Sequence, residues 1–115
     1  MQAEIKSIHS PDINDLEKHQ ATGSFCFLVQ LLMGPKGQEG EESFDIEVLS
    51  PAYLEETLQD NIISGRHIII IKEFSYKKLE EYLQKTLLRF KADNWNDLAL
   101  KIGRYGHWEF EDYKE

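Results

Sequence analysis

Phe44, Ile46 and Val48 alternate with Ser43, Asp45 and Glu47, and a nearly unbroken apolar run from Phe25 to Met33 precedes them. Between the two lies Gly34-Pro-Lys-Gly-Gln-Glu-Gly40, rich in the residues that reverse a chain. Two strands joined by such a turn predict a β-hairpin with one apolar and one charged face. The first strand is apolar on both sides apart from Gln30, which predicts a central position or cover on its second side. If helices cover one face only, Cys26, Leu28 and Leu32 stay partly exposed; otherwise packing within the domain buries them.

The rest of the chain follows the same logic. Ala3 to His9 alternates and then shifts phase at Ser7-Ile8, predicting a short strand bulged near its end. Pro11 stops it, because proline donates nothing to a ladder. Residues 12–23 read as a polar surface loop with a helical turn around Ile13 and Leu16. Ser50-Pro51 opens a helix with an apolar face of Tyr53, Leu54, Thr57 and Leu58, stopped near Asn61. Ile68 to Ile71, four consecutive β-branched residues, predict a buried strand. Ser75 caps a longer helix whose stripe runs Leu79, Tyr82, Leu83, Thr86, Leu87 and Phe90. Asn94 caps a third, with Trp95, Leu98, Ala99 and Ile102 inward and Gly103 or Gly106 at its end. His107 to Tyr113 alternates again, as a last strand or as an aromatic tail docked on the body.

Strands cluster first and helices follow, so the expected class is α+β. The expectation is an antiparallel sheet of four to five strands, with two to three helices packed mainly on one face. At 115 residues, the chain is the size of a single domain, 1–115. No apolar run approaches the length needed to span a bilayer, and no basic-then-apolar leader is visible. Cys26 is the only cysteine, which leaves no internal disulfide and no multi-cysteine zinc pattern. These features fit a cytoplasmic protein with no membrane partner.

Charge changes the picture more than composition does. The net charge is −8, and residues 37–65 alone hold eight acids and no base, while residues 66–106 hold nine bases and five acids. Such a field repels phosphate backbones and attracts basic surfaces, so it argues against nucleic acid and for a basic protein partner.

Sites of chemistry are weakly signalled. His107 and Glu109 would share a strand face and could begin a metal site or a base–carboxylate pair, the basis of a small metal-dependent hydrolase reading. No third ligand follows at a defined spacing, and His9, His19 and His67 stand singly. Solvated strand residues explain them more simply. The acids Glu39, Glu41, Glu42, Asp45 and Glu47 lack the Asp/Asn rhythm of a calcium loop. Gly34, Gly37 and Gly40 lead into a strand without a Lys-Ser/Thr pair, so they serve a turn and not a phosphate. Cys26 has no basic neighbour in sequence, and Ser50, Ser64 and Ser75 sit outside any nucleophile elbow. The sequence therefore offers no catalytic residue, no metal ligand set and no cofactor site.

Four blocks together carry a resemblance: Ala3-Glu-Ile-Lys-Ser-Ile-His-Ser-Pro-Asp12, the hairpin Gly34 to Val48, Gly65-Arg66-His67, and Arg104-Tyr-Gly-His-Trp-Glu-Phe-Glu-Asp-Tyr113. Spread over nearly the whole chain, they resemble the bacterial immunity protein 8 family. The resemblance implies a cytoplasmic antidote of a polymorphic-toxin or contact-dependent inhibition system, binding a toxin protein encoded by the adjacent gene. The candidate toxin-binding residues are the acids Glu39, Glu41, Glu42, Asp45, Glu47, Glu55, Glu56, Glu109, Glu111 and Asp112. Tyr53, Trp108 and Tyr113 are candidate aromatic anchors. A dimeric binding module paired through a free strand edge is the remaining alternative.

Overall fold

The structure is a computed structural model, and residues 1–112 of it are described. Among the described residues, seven strands and three α-helices form in the order β1 (Ala3–His9), β2 (Gln20–Ala21), β3 (Cys26–Pro35), β4 (Glu42–Leu49), α1 (Pro51–Leu58), β5 (Ile68–Ile70), β6 (Phe74–Ser75), α2 (Tyr76–Leu87), α3 (Trp95–Ile102) and β7 (His107–Trp108). The main sheet runs β1-β3-β4-β5, and β7 also pairs with β4. The α+β class expected from the sequence is the one found, with antiparallel pairing throughout the main sheet except between β4 and β5, which run parallel.

The β3–β4 hairpin is the spine. Its register sets Met33 opposite Glu42, Val29 opposite Ile46 and Phe27 opposite Val48. Period two then assigns the faces: Phe27, Val29, Leu31 and Met33 with Phe44, Ile46 and Val48 lie on one side, all buried. Leu79, Leu83 and Leu87 of α2 and Leu98, Ala99 and Ile102 of α3 close this core. On the opposite face Cys26, Leu28 and Leu32 are only half-buried, as expected for a sheet whose main helices cover one side.

Side-chain caps start each helix. Asn94 Oδ1 accepts from Asp97 N at 2.9 Å, and Ser75 Oγ accepts from Lys78 N at 3.4 Å. Ser50 does more than the cap expected of it. Its fully buried hydroxyl accepts from Tyr53 N at 3.2 Å and from Phe25 N at 3.1 Å, tying α1 to the start of β3. The strand β1 slips register between Ile5 and Ser7, a bulge in mid-strand and earlier than the expected shift at Ser7-Ile8.

The hairpin turn uses its glycines for two different reasons. Gly37 and Gly40 have φ of +74° and +103°, values that suit glycine. Gly34 instead permits a close approach: a Cβ there would lie 2.1 Å from the carbonyl oxygen of Gly40.

Four expectations need correction. The Ile68 to Ile71 run is not a buried strand; β5 lies at the edge of the sheet and Ile70 is 55% exposed. Branched side chains favour a pleated backbone, but they do not fix a strand's place in the sheet. Tyr82 faces solvent at 46% exposure, and the helix ends at Leu87, before Phe90. Residues 12–23 are not merely a surface loop. A 3-10 turn at Leu16–Lys18 puts Leu16 into the core, and β2 pairs with β6 as a second small sheet. Finally, the strand near the C-terminus is two residues long, and the chain turns at Glu109.

Candidate functional site

The sheet face away from α2 and α3 carries the charge. Register places Ser7 and His9 of β1, Gln30 of β3, Asp45 and Glu47 of β4, and His107 of β7 on it. His9 Nε2 lies 3.0 Å from Gln30 Oε1, a contact in which the ring nitrogen must donate because an amide oxygen only accepts. Helix α1 and the segment that follows it rise beside this face. Together they enclose a hollow of about 500 Å³ whose lining includes Leu28, Asp45, Glu47, Tyr53, His67 and His107.

The polar groups of the hollow are unevenly satisfied. His67 Nε2 donates to the Gly103 carbonyl at 2.7 Å. Glu111 Oε1 accepts from Arg66 Nη2 at 2.6 Å and lies 3.9 Å from His67, while its Oε2 lies 3.8 Å from His107. The two imidazoles meet edge to face, centroids 5.5 Å apart. Asp45 Oδ1 is buried and accepts no hydrogen bond among the described residues. A carboxylate oxygen held out of water favours any donor brought to it, a cationic one most.

Cys26 lies on the same face. Burial raises its thiol above the ordinary cysteine range, opposed by a hydrogen bond with Tyr53 and reinforced by the charges of Glu47 and Asp12. An uncharged thiol at half-buried depth has the character of a packing group and not of a nucleophile.

The candidate acids do not form one patch. Asp45 and Glu47 line the hollow beside Tyr53, with Glu111 at its margin through the two histidines. Glu39 and Glu41 stand exposed at the hairpin turn, about 20 Å from Glu47 at strand rise. Glu55 and Glu56 are exposed on α1, where Glu56 Oε2 accepts from Ser24 Oγ at 2.8 Å. Asp112 is exposed with φ of +61°.

Glu42 belongs to neither acidic group. Opposite Met33, it lies on the helix-covered face, and its Oε1 accepts from the indole N–H groups of both Trp95 and Trp108. Trp108 is consequently no exposed anchor: it is 6% exposed and stacks near Phe44, centroids 6.4 Å apart. Tyr113 lies outside the described residues.

The proposed pairing of His107 with Glu109 is also divided by the structure. Glu109 Oε1 accepts from Ser43 N at 2.9 Å, at the start of β4, whereas His107 turns towards His67 and Glu111. Among the described residues, no three or more His, Cys, Asp or Glu side chains are arranged to hold a metal ion. No helix among them is long and apolar enough to cross a membrane.

Arg66 and His67 complete the hollow beside the expected helix α1, and periodicity could not have found those two. They are brought in by an irregular connection, residues 59–67, that carries no repeating pattern. The only sequence signal was Gly65-Arg66-His67 as a distinct block, and His67 does adopt a left-handed φ of +62°.

Comparison with known proteins gives a family match. The family model described as Immunity protein 8 fits residues 3–113. Nothing matches among curated proteins or among solved structures.

Proposed function

The chain belongs to the Immunity protein 8 family, and from that premise we propose that it is a cytoplasmic antidote that binds and blocks a toxin domain encoded by the adjacent gene. It acts by occupancy, without turnover. The open face of the sheet is the recognition surface, and the toxin surface it meets is basic.

The observation that carries this reading is the state of Asp45 and Glu47. Both line the hollow of about 500 Å³, and Asp45 Oδ1 is buried without a donor among the described residues. A lysine or arginine from a partner would satisfy that oxygen, with Tyr53 and Leu28 covering the aliphatic stem. The exposed acids Glu55 and Glu56 on α1 add to the negative charge on this side of the chain, while those at the hairpin turn lie too far off to act at the hollow in physiological salt. A field of this kind speeds encounter with a basic surface and fixes orientation, while buried groups hold the complex.

The test is rescue of growth. Bacteria expressing the toxin domain from the neighbouring gene should survive when this chain is co-expressed. Survival should fall when Asp45 and Glu47 are both replaced by lysine. Growth arrest despite abundant, folded wild-type protein would remove the proposal.

A further inference from the structure

Strand β5 leaves one edge of the main sheet open. In its parallel pairing with β4, His67 O accepts from Glu47 N at 3.0 Å and Ile71 N donates to Leu49 O at 2.9 Å. Alternation along the strand then turns the N–H and C=O groups of Ile68 and Ile70 outward. No partner for them exists among the described residues. Ile70 is also more than half exposed, so this edge presents both apolar surface and unpaired backbone. Proteins commonly cover or blunt such an edge.

A cleft of about 500 Å³ runs beside it, with residues 65–71 along one side. Lys78 and Tyr82 of α2, and Arg104 and Tyr105 beyond α3, form the opposite side. No Asp or Glu lines it, although the chain as a whole carries a net charge of −8. Arg66 is held by Glu111, but Lys78 and Arg104 form no ion pair among the described residues. Arg104 rests over the Phe90 ring, 5.8 Å from its centroid.

We propose that the β5 edge and this cleft bind an extended, acidic segment of a partner protein, added as a further strand. Main-chain groups of the segment pair with Ile68 and Ile70. Alternate side chains of an added strand point to one face, and those entering the cleft meet Lys78, Arg104 and the Tyr82 ring. Charge complementarity selects acidic side chains at those positions.

A second copy of the chain is the other natural occupant of a free edge, and charge opposes it in the register centred on Ile69. Antiparallel pairing of two β5 strands about Ile69 would place Arg66 of one opposite Lys72 of the other, twice over. Like charges directly opposite across strands are destabilising. This cleft adjoins the acidic hollow assigned to the toxin, sharing Arg66, His67 and Ile68 with it, but Lys78, Tyr82 and Arg104 line the cleft alone, so its test uses no toxin.

The probe is a capped seven-residue peptide, Thr-Glu-Val-Glu-Val-Glu-Thr, titrated into the full chain and followed by amide chemical shifts. The expected result is saturable binding, with the largest shifts and new exchange protection at Ile68 and Ile70. The same peptide with lysine for glutamate, or with alternate backbone nitrogens methylated, should not bind. The double variant Lys78→Glu, Arg104→Glu should weaken the acidic peptide about tenfold or more, since two attractive contacts become repulsive. Ile70→Pro should abolish binding, because it deletes an outward N–H that β4 does not use. If that variant fails to fold, the charge variant and the methylated peptide still decide. Equal binding of acidic and basic peptides, unchanged binding after methylation, or a dimer that Ile70→Pro dissolves would each overturn the proposal.

Discussion

Glu42 Oε1 accepts the indole N–H of Trp108 at 3.1 Å, across 66 residues of sequence, and the same oxygen accepts from Trp95. One carboxylate at the start of β4 thus joins the hairpin, the first turn of α3 and the strand that follows it. Its negative charge serves the fold. Removing it leaves two part-buried indole donors without an acceptor, at a cost set by their desolvation. Glu42→Ala should therefore lower unfolding stability by about 2 kcal/mol in urea titrations. Glu42→Gln, which keeps an oxygen acceptor, should lose less. Both variants should alter tryptophan fluorescence.

The turn makes a sharper steric prediction. Because the Cβ of residue 34 would fall 2.1 Å from a backbone oxygen, Gly34→Ala forces the hairpin end to move. Gly106→Ala meets softer neighbours, Ile46 Cγ1 at 3.0 Å and Phe44 Cβ at 3.1 Å. The first should cost about 2 kcal/mol or more and the second less, the usual range for overpacking. Thermal unfolding of both variants checks the order.

Glu4 supplies a pH prediction. Its Oε1 accepts from Lys6 Nζ at 2.6 Å and from Gly37 N at 3.1 Å, joining β1 to the hairpin turn. The Lys6 hydrogen bond, then the Gly37 N–H, holds this carboxyl below the usual glutamate range. A depressed folded pKa means its contribution is present above the unfolded pKa and is lost as pH falls through the folded one. Exchange protection at Gly37 should therefore fall as the solution is acidified through that range. Lys6→Ala should move the midpoint upward in a carboxyl titration followed by NMR.

The hairpin, the three helix caps and the core face were legible because each rests on local signals. Alternation fixes which side of a strand is apolar, and Ser50, Ser75 and Asn94 satisfy backbone donors three residues on. The role of Glu42 was not legible. An acid one residue outside an alternating strand reads as solvated unless its long-range partners, two tryptophans far along the chain, are known. The same limit hid the position of β5. Its branched residues specify a strand, but only the path of residues 59–67 puts that strand at an edge. The hollow beside Asp45 and Glu47 arises from that same irregular segment, so its acids were visible in the sequence while their enclosure was not.

Kinetics of binding to the adjacent-gene toxin domain test the central claim most directly. A stable 1:1 complex is expected, with an association rate that falls steeply as salt rises from low to physiological ionic strength. Asp45→Lys with Glu47→Lys should slow association, flatten its salt dependence and speed dissociation, the last because Asp45 is partly enclosed. Absence of a complex with folded wild-type protein, or kinetics indifferent to both salt and the double reversal, would contradict recognition through the acidic face.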